Sequence, residues 1–389
     1  MAKVVVAMSG GVDSSLAAAL LKLEGFEVSG VWLRLWSCGC QDSADNESKN
    51  EPKGLEEAKC VARQLQIPFR VLDLETEFRD QIVSYFIREY LRGRTPIPCL
   101  FCNRRVKFGT LMQEALAGGA SYLASGHYAR ITYDAKGGRY LLWRSPDPHK
   151  DQSYFLSQLT QEQLAHLILP LEHMRKEEVR RLAGELGIGT AQRPESQELC
   201  FVSRGGYRQF LRNMAGDMIK PGPIRDHKGN LLGEHKGLAF YTIGQRKGLR
   251  LAGGRPFFVV ELRPDSNEVV VGEEKDLWRS DMVVEGVNWI PSQELPGRTE
   301  AWVKIRYQHA GAKAFITPME GGRAWVSFAA PQRAITPGQA AVFYQGDLVL
   351  GGGIIACSLP GPNRHGDIRR YIEAYARFFP SSLDLWAAT

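Results

Sequence analysis

The chain lacks the features that most often identify a nucleotide enzyme. Its N-terminal glycine turn has no G-x-x-x-x-G-K-[ST] lysine and no G-x-G-x-x-G spacing, so neither common nucleotide loop fits. No apolar run approaches the ~20 residues of a membrane helix. No basic-then-apolar leader precedes the first strand, so a cytoplasmic location and no membrane partner are expected. There is no second C-x-x-C and no H-x-x-x-H, which argues against a four-ligand zinc site. The seven cysteines, Cys38, Cys40, Cys60, Cys99, Cys102, Cys200 and Cys357, are odd in number and spread over 389 residues. That pattern argues against a structural disulfide framework and gives weight to catalytic or metal-binding thiols. Charge of neither sign dominates. A net +6 permits an anionic partner such as RNA without requiring one.

What is present begins at Lys3. Val4, Val5 and Val6 are β-branched and apolar, as a buried strand requires. Ser9-Gly10-Gly11-Val12-Asp13-Ser14-Ser15 breaks that run, and the Ala/Leu-rich stretch after it predicts a helix. A strand, a glycine turn and a helix N-terminus together make an anion site, because backbone N–H groups and the helix dipole converge on one spot. The turn resembles the SGGxDS loop of the ATP pyrophosphatase (PP-loop) families. That resemblance implies cleavage of ATP between its α and β phosphates and use of the AMP to activate an oxygen.

The first part of the chain alternates strand and helix. Strands are predicted at 3–8, 27–35, 69–74 and 121–125, and helices at 14–24, 55–66, 76–91 and 107–117. This alternation predicts a parallel sheet with helices on both faces and ligands at the carboxyl ends of its strands. Residues 37–54 read as a polar, acidic excursion. A further strand is predicted at 139–143, a capping box at Thr160-Gln161-Glu162-Gln163, and a helix at 175–186 stopped by Gly187. After Gly205 the texture changes to short strands and turns, with Ile219–Pro223 read as a linker. Asp265-Ser266-Asn267 joins two strands as a hairpin. Residues 299–307 alternate as one strand, with Ala301, Val303, Ile305 and Tyr307 on one face and Trp302, Lys304 and Arg306 on the other, which puts Arg306 and Tyr307 at its outward edge. The pattern continues to Cys357 as a small antiparallel barrel or sandwich, and a short helix is predicted over 368–379. The expected organisation is an α/β parallel-sheet PP-loop domain (adenine nucleotide alpha hydrolase-like) over 1–205 and a small central domain over 206–278. A C-terminal antiparallel β-barrel over 279–360 and a tail over 361–389 complete it.

Cys99 and Cys102 sit in the segment PCLFCNRRVKFG, behind two prolines, and so read as a loop with a helix starting just after Cys102. A thiol at a helix N-terminus beside Arg104, Arg105 and Lys107 is expected to have a lowered pKa. Cys200 lies far downstream in SQELCFV. A lone C-x-x-C is ambiguous between zinc, redox and iron–sulfur use.

Six segments, SGGVDSS, PCLFCNRRVKFG, ASGHYAR, KDQSYFL, SQELCFV and YTIGQRKGL, occur in the order found in the bacterial tRNA-specific 2-thiouridylases. The chain resembles that family from its N-terminus to about Cys357. The resemblance implies ATP-dependent placement of sulfur on C2 of the wobble uridine in tRNAs for Lys, Glu and Gln, a tRNA-uridine 2-sulfurtransferase activity. The C2 oxygen is adenylated, and AMP is then displaced by cysteine persulfide sulfur. It further implies that Cys200 carries the persulfide, received from a sulfur-relay protein or a cysteine desulfurase. Cys102 then acts as nucleophile and leaves a Cys102–Cys200 disulfide. Asp13 is implied to assist Mg²⁺ and the pyrophosphate. The nucleotide is implied to lie on Ala7, Met8, Ser9, Gly10, Gly11, Val12, Asp13, Ser14, Leu33 and Gly126, with Ser15 close by. The tRNA is implied to meet His127, Lys150, Asp151, Gln152, Arg306, Tyr307 and Gln339, with Arg246 and Lys247 gripping phosphate. The target base has to leave its stack to reach such a site.

Two positions depart from the family pattern. Many members carry aspartate where this chain has Cys99, and methionine where it has Leu33. Cys99 opens a second reading, in which Cys99, Cys102 and Cys200 bind a [4Fe–4S] cluster that carries the sulfur. A third reading is another adenylating PP-loop enzyme, an amidotransferase-type synthetase with a small-molecule substrate, which needs neither thiols nor a basic barrel. A non-catalytic RNA-binding protein with a vestigial loop is the fourth.

Overall fold

The computed structural model describes residues 1–36, 54–190, 199–202, 205–251 and 256–359. Cys38, Cys40, most of the acidic excursion and the C-terminal helix expected over 368–379 lie outside the described residues. The chain divides into two compact units.

The first unit comprises Met1–Phe86, Pro98–Phe210 and Asp347–Val349. Its strands are β1 (Lys3–Ala7), β2 (Glu27–Arg34), β3 (Phe69–Asp73), β4 (Tyr122–Ser125), β5 (Arg130–Asp134), β6 (Arg139–Trp143) and β7 (Leu167–Ile168). Five of them form one parallel sheet in the order β3-β2-β1-β4-β7. The chain runs outward from β1 to β2 and β3, then returns to place β4 on the other side of β1. That reversal is a topological switch point, and ligands of open α/β sheets bind there. Val4, Val5 and Val6 are all buried, as expected of a central strand covered on both faces. The helix Val12–Leu23 covers one face with Leu16, Ala17, Ala18 and Leu21 fully buried. Truncating Leu16 to alanine there would cost about 2–5 kcal/mol in lost burial and a residual cavity. β5 and β6 form an antiparallel hairpin. Sequence alone predicts only β6, although Ile131, Thr132 and Tyr133 in β5 are strand formers.

The second unit comprises Ile87–Ile97, Leu211–Gly346 and the chain from Leu350. Strands β8 (Gly222–Asp226), β9 (Leu231–His235), β10 (Phe258–Arg263) and β11 (Glu268–Gly272) form a four-stranded sheet ordered β10-β11-β8-β9. β10 and β11 are the expected hairpin, with Asn267 in the left-handed region at φ 50°. The expected linker at Ile219–Pro223 instead enters β8, since Pro223 pairs opposite Glu234. Strands β12 (Trp278–Trp289), β13 (Thr299–Lys304), β14 (Ala312–Met319), β15 (Arg323–Arg333), β16 (Ala340–Gln345) and β17 (Leu348–Leu359) follow. They run in the order β12-β15-β14-β13-β16-β17, and β12 pairs back onto β17 to close an antiparallel six-stranded barrel. Closure removes the free edges that an open sheet would expose. The alternation read in 299–307 is the barrel's inside and outside: Ala301 and Val303 are 3% and 0% exposed, whereas Trp302 is 45% exposed.

Candidate active site

The turn after β1 is built by hydroxyls and one conformationally special glycine. Gly10 has φ 75°, and a Cβ there would lie 2.1 Å from the carbonyl oxygen of Gly54, so only glycine lets the two segments touch. Ser14 Oγ accepts from the Ser9 N–H at 3.1 Å and donates to the Gly11 carbonyl at 3.2 Å, while Ser15 Oγ donates to the same carbonyl at 2.9 Å. The helix therefore starts at Val12, two residues before the predicted 14–24, and its N-cap, Gly11, brings no capping side chain. An uncapped helix start aimed past the end of a central strand suits an anion. Gly126, just after β4, packs on this turn. A Cβ on it would lie 2.6 Å from Asp13 C and 2.7 Å from Ser14 N.

A cavity of ≈ 310 Å³ opens at this point. Of the residues expected at the nucleotide, Ala7, Met8, Ser9, Asp13, Ser14, Leu33 and Gly126 line it. Gly10, Gly11 and Val12 form the turn behind them, and Val12 is buried. The cavity also takes Val31, Trp32 and Leu35 from β2 and its end, Lys107 and Phe108, Ser125, His127 and Gln152. Apolar walls with a few polar groups and one anion-seeking end match a small-ligand site.

Asp13 is engaged from two distant parts of the chain. The Lys176 Nζ lies 2.7 and 2.8 Å from its two carboxylate oxygens, and Tyr128 Oη donates to it at 2.6 Å. Lys176 is the first residue of the helix Lys176–Glu185, and its side chain is 9% exposed against 28% for Asp13. Sequence reading missed both partners: no local pattern links residue 13 to residues 128 and 176.

The thiol segment corrects the sequence expectation. Pro98 opens a short helix, Pro98–Phe101, because proline is well tolerated at a first helical position. It continues as a π-helix over Cys102–Thr110 and an α-helix over Leu111–Ala117. Cys102 thus lies inside a helical run and not at its N-terminus, and it is 6% exposed. Burial pushes its pKa up to about 12, against the opposing pull of the Lys107 ammonium. The expected low-pKa thiolate is therefore absent in this state, because desolvation outweighs the cationic neighbour. Burial also raises Cys99 and Cys200, again opposed by Lys107. Both residues expose surface to solvent even so, which tempers the effect. Cys99 and Cys200 both raise the pKa of Cys102, so the three thiols share one neighbourhood.

His127 lines the cavity, hydrogen-bonds Ser125 Oγ through Nδ1 at 2.9 Å, and meets Phe108 edge-on. Burial first, then Lys107, lowers its pKa to about 3, so the ring is neutral near pH 7. Gln152 lines the cavity and fixes the Tyr128 backbone through its side-chain carbonyl at 2.9 Å. Asp151 is 5% exposed, and its carboxylate accepts the N–H groups of Ser145 and Ser153. It shapes the turn, and Lys150 beside it is half-buried. In the second unit Arg306 and Tyr307 lie just beyond the end of β13, in a turn and not on the strand edge. Gln339 Nε2 donates to the carbonyls of Thr95 and Pro96 at 3.1 and 3.4 Å. Arg246 and Lys247 are exposed in a turn.

Two bound groups were implied by the sequence. Asp13 is the one acidic side chain among the described lining residues and already holds an ammonium, so its position fits a magnesium ion arriving with ATP. The iron–sulfur reading fits poorly. Among the described residues no three His, Cys, Asp or Glu side chains are grouped to hold one metal ion. Cys99, Cys102 and Cys200 share an electrostatic neighbourhood without a chelating arrangement.

Family models match along the chain in three consecutive blocks. They are described as a tRNA methyl transferase HUP domain over residues 2–204, a tRNA methyl transferase PRC-barrel domain over 208–273 and an aminomethyltransferase beta-barrel domain over 279–355. Among curated relatives, the tRNA-specific 2-thiouridylase MnmA of Moorella thermoacetica is 52% identical over 350 residues, covering 90% of this chain and 98% of the relative. MnmA 1 of Caldanaerobacter subterraneus is 48% identical, covering 91% of this chain and 97% of its own. MnmA of Clostridium perfringens is 46% identical, covering 91% and 98%. With about half its residues identical along nine-tenths of its length, and with a nucleotide-type turn beside grouped thiols, the chain belongs to the tRNA-specific 2-thiouridylase MnmA family.

Proposed function

We propose that this protein is an ATP-dependent tRNA-uridine 2-sulfurtransferase that converts the wobble uridine of tRNAs for Lys, Glu and Gln to 2-thiouridine. The observation that carries this reading is the pairing of two parts: a phosphate-type turn over a small cavity, and Cys102 and Cys200 in one another's electrostatic range. An amidotransferase-type synthetase would need only the first part. The Ser9–Ser15 turn binds the triphosphate, and Asp13 takes the magnesium ion that accompanies it. The C2 oxygen of the flipped uridine attacks the α-phosphate, and pyrophosphate leaves.

Sulfur arrives on Cys200 as a persulfide from a relay protein or a cysteine desulfurase. The terminal sulfur attacks C2, and AMP leaves with the C2–O bonding pair. Cys102, as thiolate, then attacks the Cys200 Sγ. The bond from that Sγ to the transferred sulfur breaks, the 2-thiouridine leaves with the electron pair, and a Cys102–Cys200 disulfide remains. Cys102 attacks as its thiolate, so the burial that raises its pKa in the resting state has to be relieved before this last step. No helix among the described residues is long and apolar enough to cross a membrane.

The test is an assay with tRNA, ATP, Mg²⁺ and a persulfide donor, reading nucleosides by mass spectrometry and pyrophosphate release in parallel. One 2-thiouridine per tRNA is expected, with one AMP and one pyrophosphate formed. Cys102→Ser and Cys200→Ser should stop sulfur transfer and leave pyrophosphate release intact. Pyrophosphate release that ignores tRNA, with no thiolated nucleoside, would overturn the proposal.

A further inference from the structure

One side chain belongs to both the cavity and the thiol neighbourhood. Lys107 lines the cavity and is half-buried. No carboxylate or hydrogen-bond acceptor among the described residues is paired with its ammonium. A half-buried cation without a protein counter-charge, facing a cavity, points to an anionic ligand.

The backbone explains how Lys107 also reaches the thiols. In an α-helix, with about 3.6 residues per turn, a residue five positions on has swung well past the first. Over Cys102–Thr110 the chain is π-helical, a winding that joins residue i to i+5. Lys107 is five residues after Cys102 and so stands one turn above it. The electrostatics agree. Lys107 is the foremost charge opposing desolvation at Cys99, Cys102 and Cys200, and it also acts on His127. Among the described residues, Cys99 is the other titratable side chain acting on Cys200.

We propose that Lys107 is a catalytic residue shared by both half-reactions: it binds the nucleotide phosphate in the cavity and stabilises the charge that sulfur attack transfers to AMP. This rests on the function proposed above. In that step the perthiolate on Cys200 forms a C–S bond at C2 and the C2–O bond breaks. One negative charge passes from sulfur to the AMP phosphate, and no external oxidant or reductant is needed. A fixed ammonium close to both ends of that displacement stabilises it without rearranging. Removing one such preorganised charge typically costs about 10²–10³-fold in rate.

The experiment follows alkylation of Cys200 by iodoacetamide against pH, resolved by peptide mass spectrometry, with and without saturating AMP. In the unaltered protein AMP should raise the midpoint, because phosphate occupies the ammonium that otherwise supports the thiolate. Lys107→Met should raise the midpoint by itself and abolish the response to AMP, and Lys107→Arg should restore both. In the tRNA assay Lys107→Met should lower the rate of 2-thiouridine formation about 10²-fold. An identical midpoint in Lys107→Met, or an AMP response that persists in it, overturns the proposal. Should that variant fail to fold, a midpoint in the unaltered protein that AMP leaves unmoved also overturns it. If the unaltered protein makes no 2-thiouridine while the midpoints respond as expected, the proposed function fails and the phosphate–Lys107–thiol linkage stands.

Discussion

Asp13 is held in place before any nucleotide arrives. Two contacts from Lys176 and one from Tyr128 hold its carboxylate in one pose, as the role proposed for it requires. The pair lies between a surface ion pair, worth about 0–1 kcal/mol, and a buried pair whose rupture costs about 3–5 kcal/mol. Lys176→Met should therefore lower unfolding free energy by about 2 kcal/mol, read from urea denaturation at pH 7. It should also reduce tRNA-dependent pyrophosphate release, with Lys176→Arg recovering part of both. Asp13→Asn should keep the fold and lose pyrophosphate release. The turn itself was legible in the sequence, because strand, glycines and helix follow one another within a few residues. Lys176 and Tyr128 were not, because their roles exist only once distant segments meet. Cys102 shows the opposite failure. A local argument from helix position and neighbouring arginines predicted an acidic thiol, and burial, which no local pattern reports, reversed it.

At the scale of elements, the run from Pro98 to Ala117 fixes where the thiols stand. A π stretch has poorer hydrogen-bond economy than an α-helix and is seldom sustained without support. Here Gln163 supplies part of that support. Its Nε2 donates to the carbonyls of Arg104 and Phe108 at 2.7 and 2.8 Å. Its Oε1 accepts the Thr160 N–H at 3.0 Å in the capping box that the sequence announced. Asn103 adds a bond to the Phe155 carbonyl, and Arg104 one to Gln158 Oε1. Gln163→Leu should destabilise the protein by about 1–3 kcal/mol, through two carbonyls left unsatisfied and a lost cap. It should also speed amide hydrogen exchange over Cys102–Thr110 more than elsewhere. Uniform exchange changes would show that Gln163 serves only its own helix. The capping box was readable because its partners are three residues apart. The π winding was not, since its sequence has an ordinary helical composition.

At the scale of the whole molecule, the proposed grip on tRNA rests on charge and on the barrel. A net +6 is modest, so affinity has to come from placed cations and not from overall attraction. Arg306 is exposed in the turn after β13, with Tyr307 half-exposed beside it. Arg306→Ala should weaken tRNA binding and flatten its salt dependence by about 0.7–0.9 in log Kd per log salt, the signature of one lost phosphate contact. ATP binding should not change. A salt slope equal to that of the unaltered protein would remove Arg306 from the RNA surface. The barrel was legible because inside and outside alternate residue by residue, as at Ala301, Trp302 and Val303. The four-stranded sheet was less so, because β8 and β9 are short and largely polar.

The burial of Cys102 has a consequence for how the protein survives between turnovers. Burial holds Cys102 as the thiol at pH 7. Peroxides and stray disulfides attack thiolates and leave thiols largely alone. On the mechanism proposed above, a sulfur that acts last stays chemically dormant in an oxidising moment, until the arriving substrate changes the surroundings that silence it.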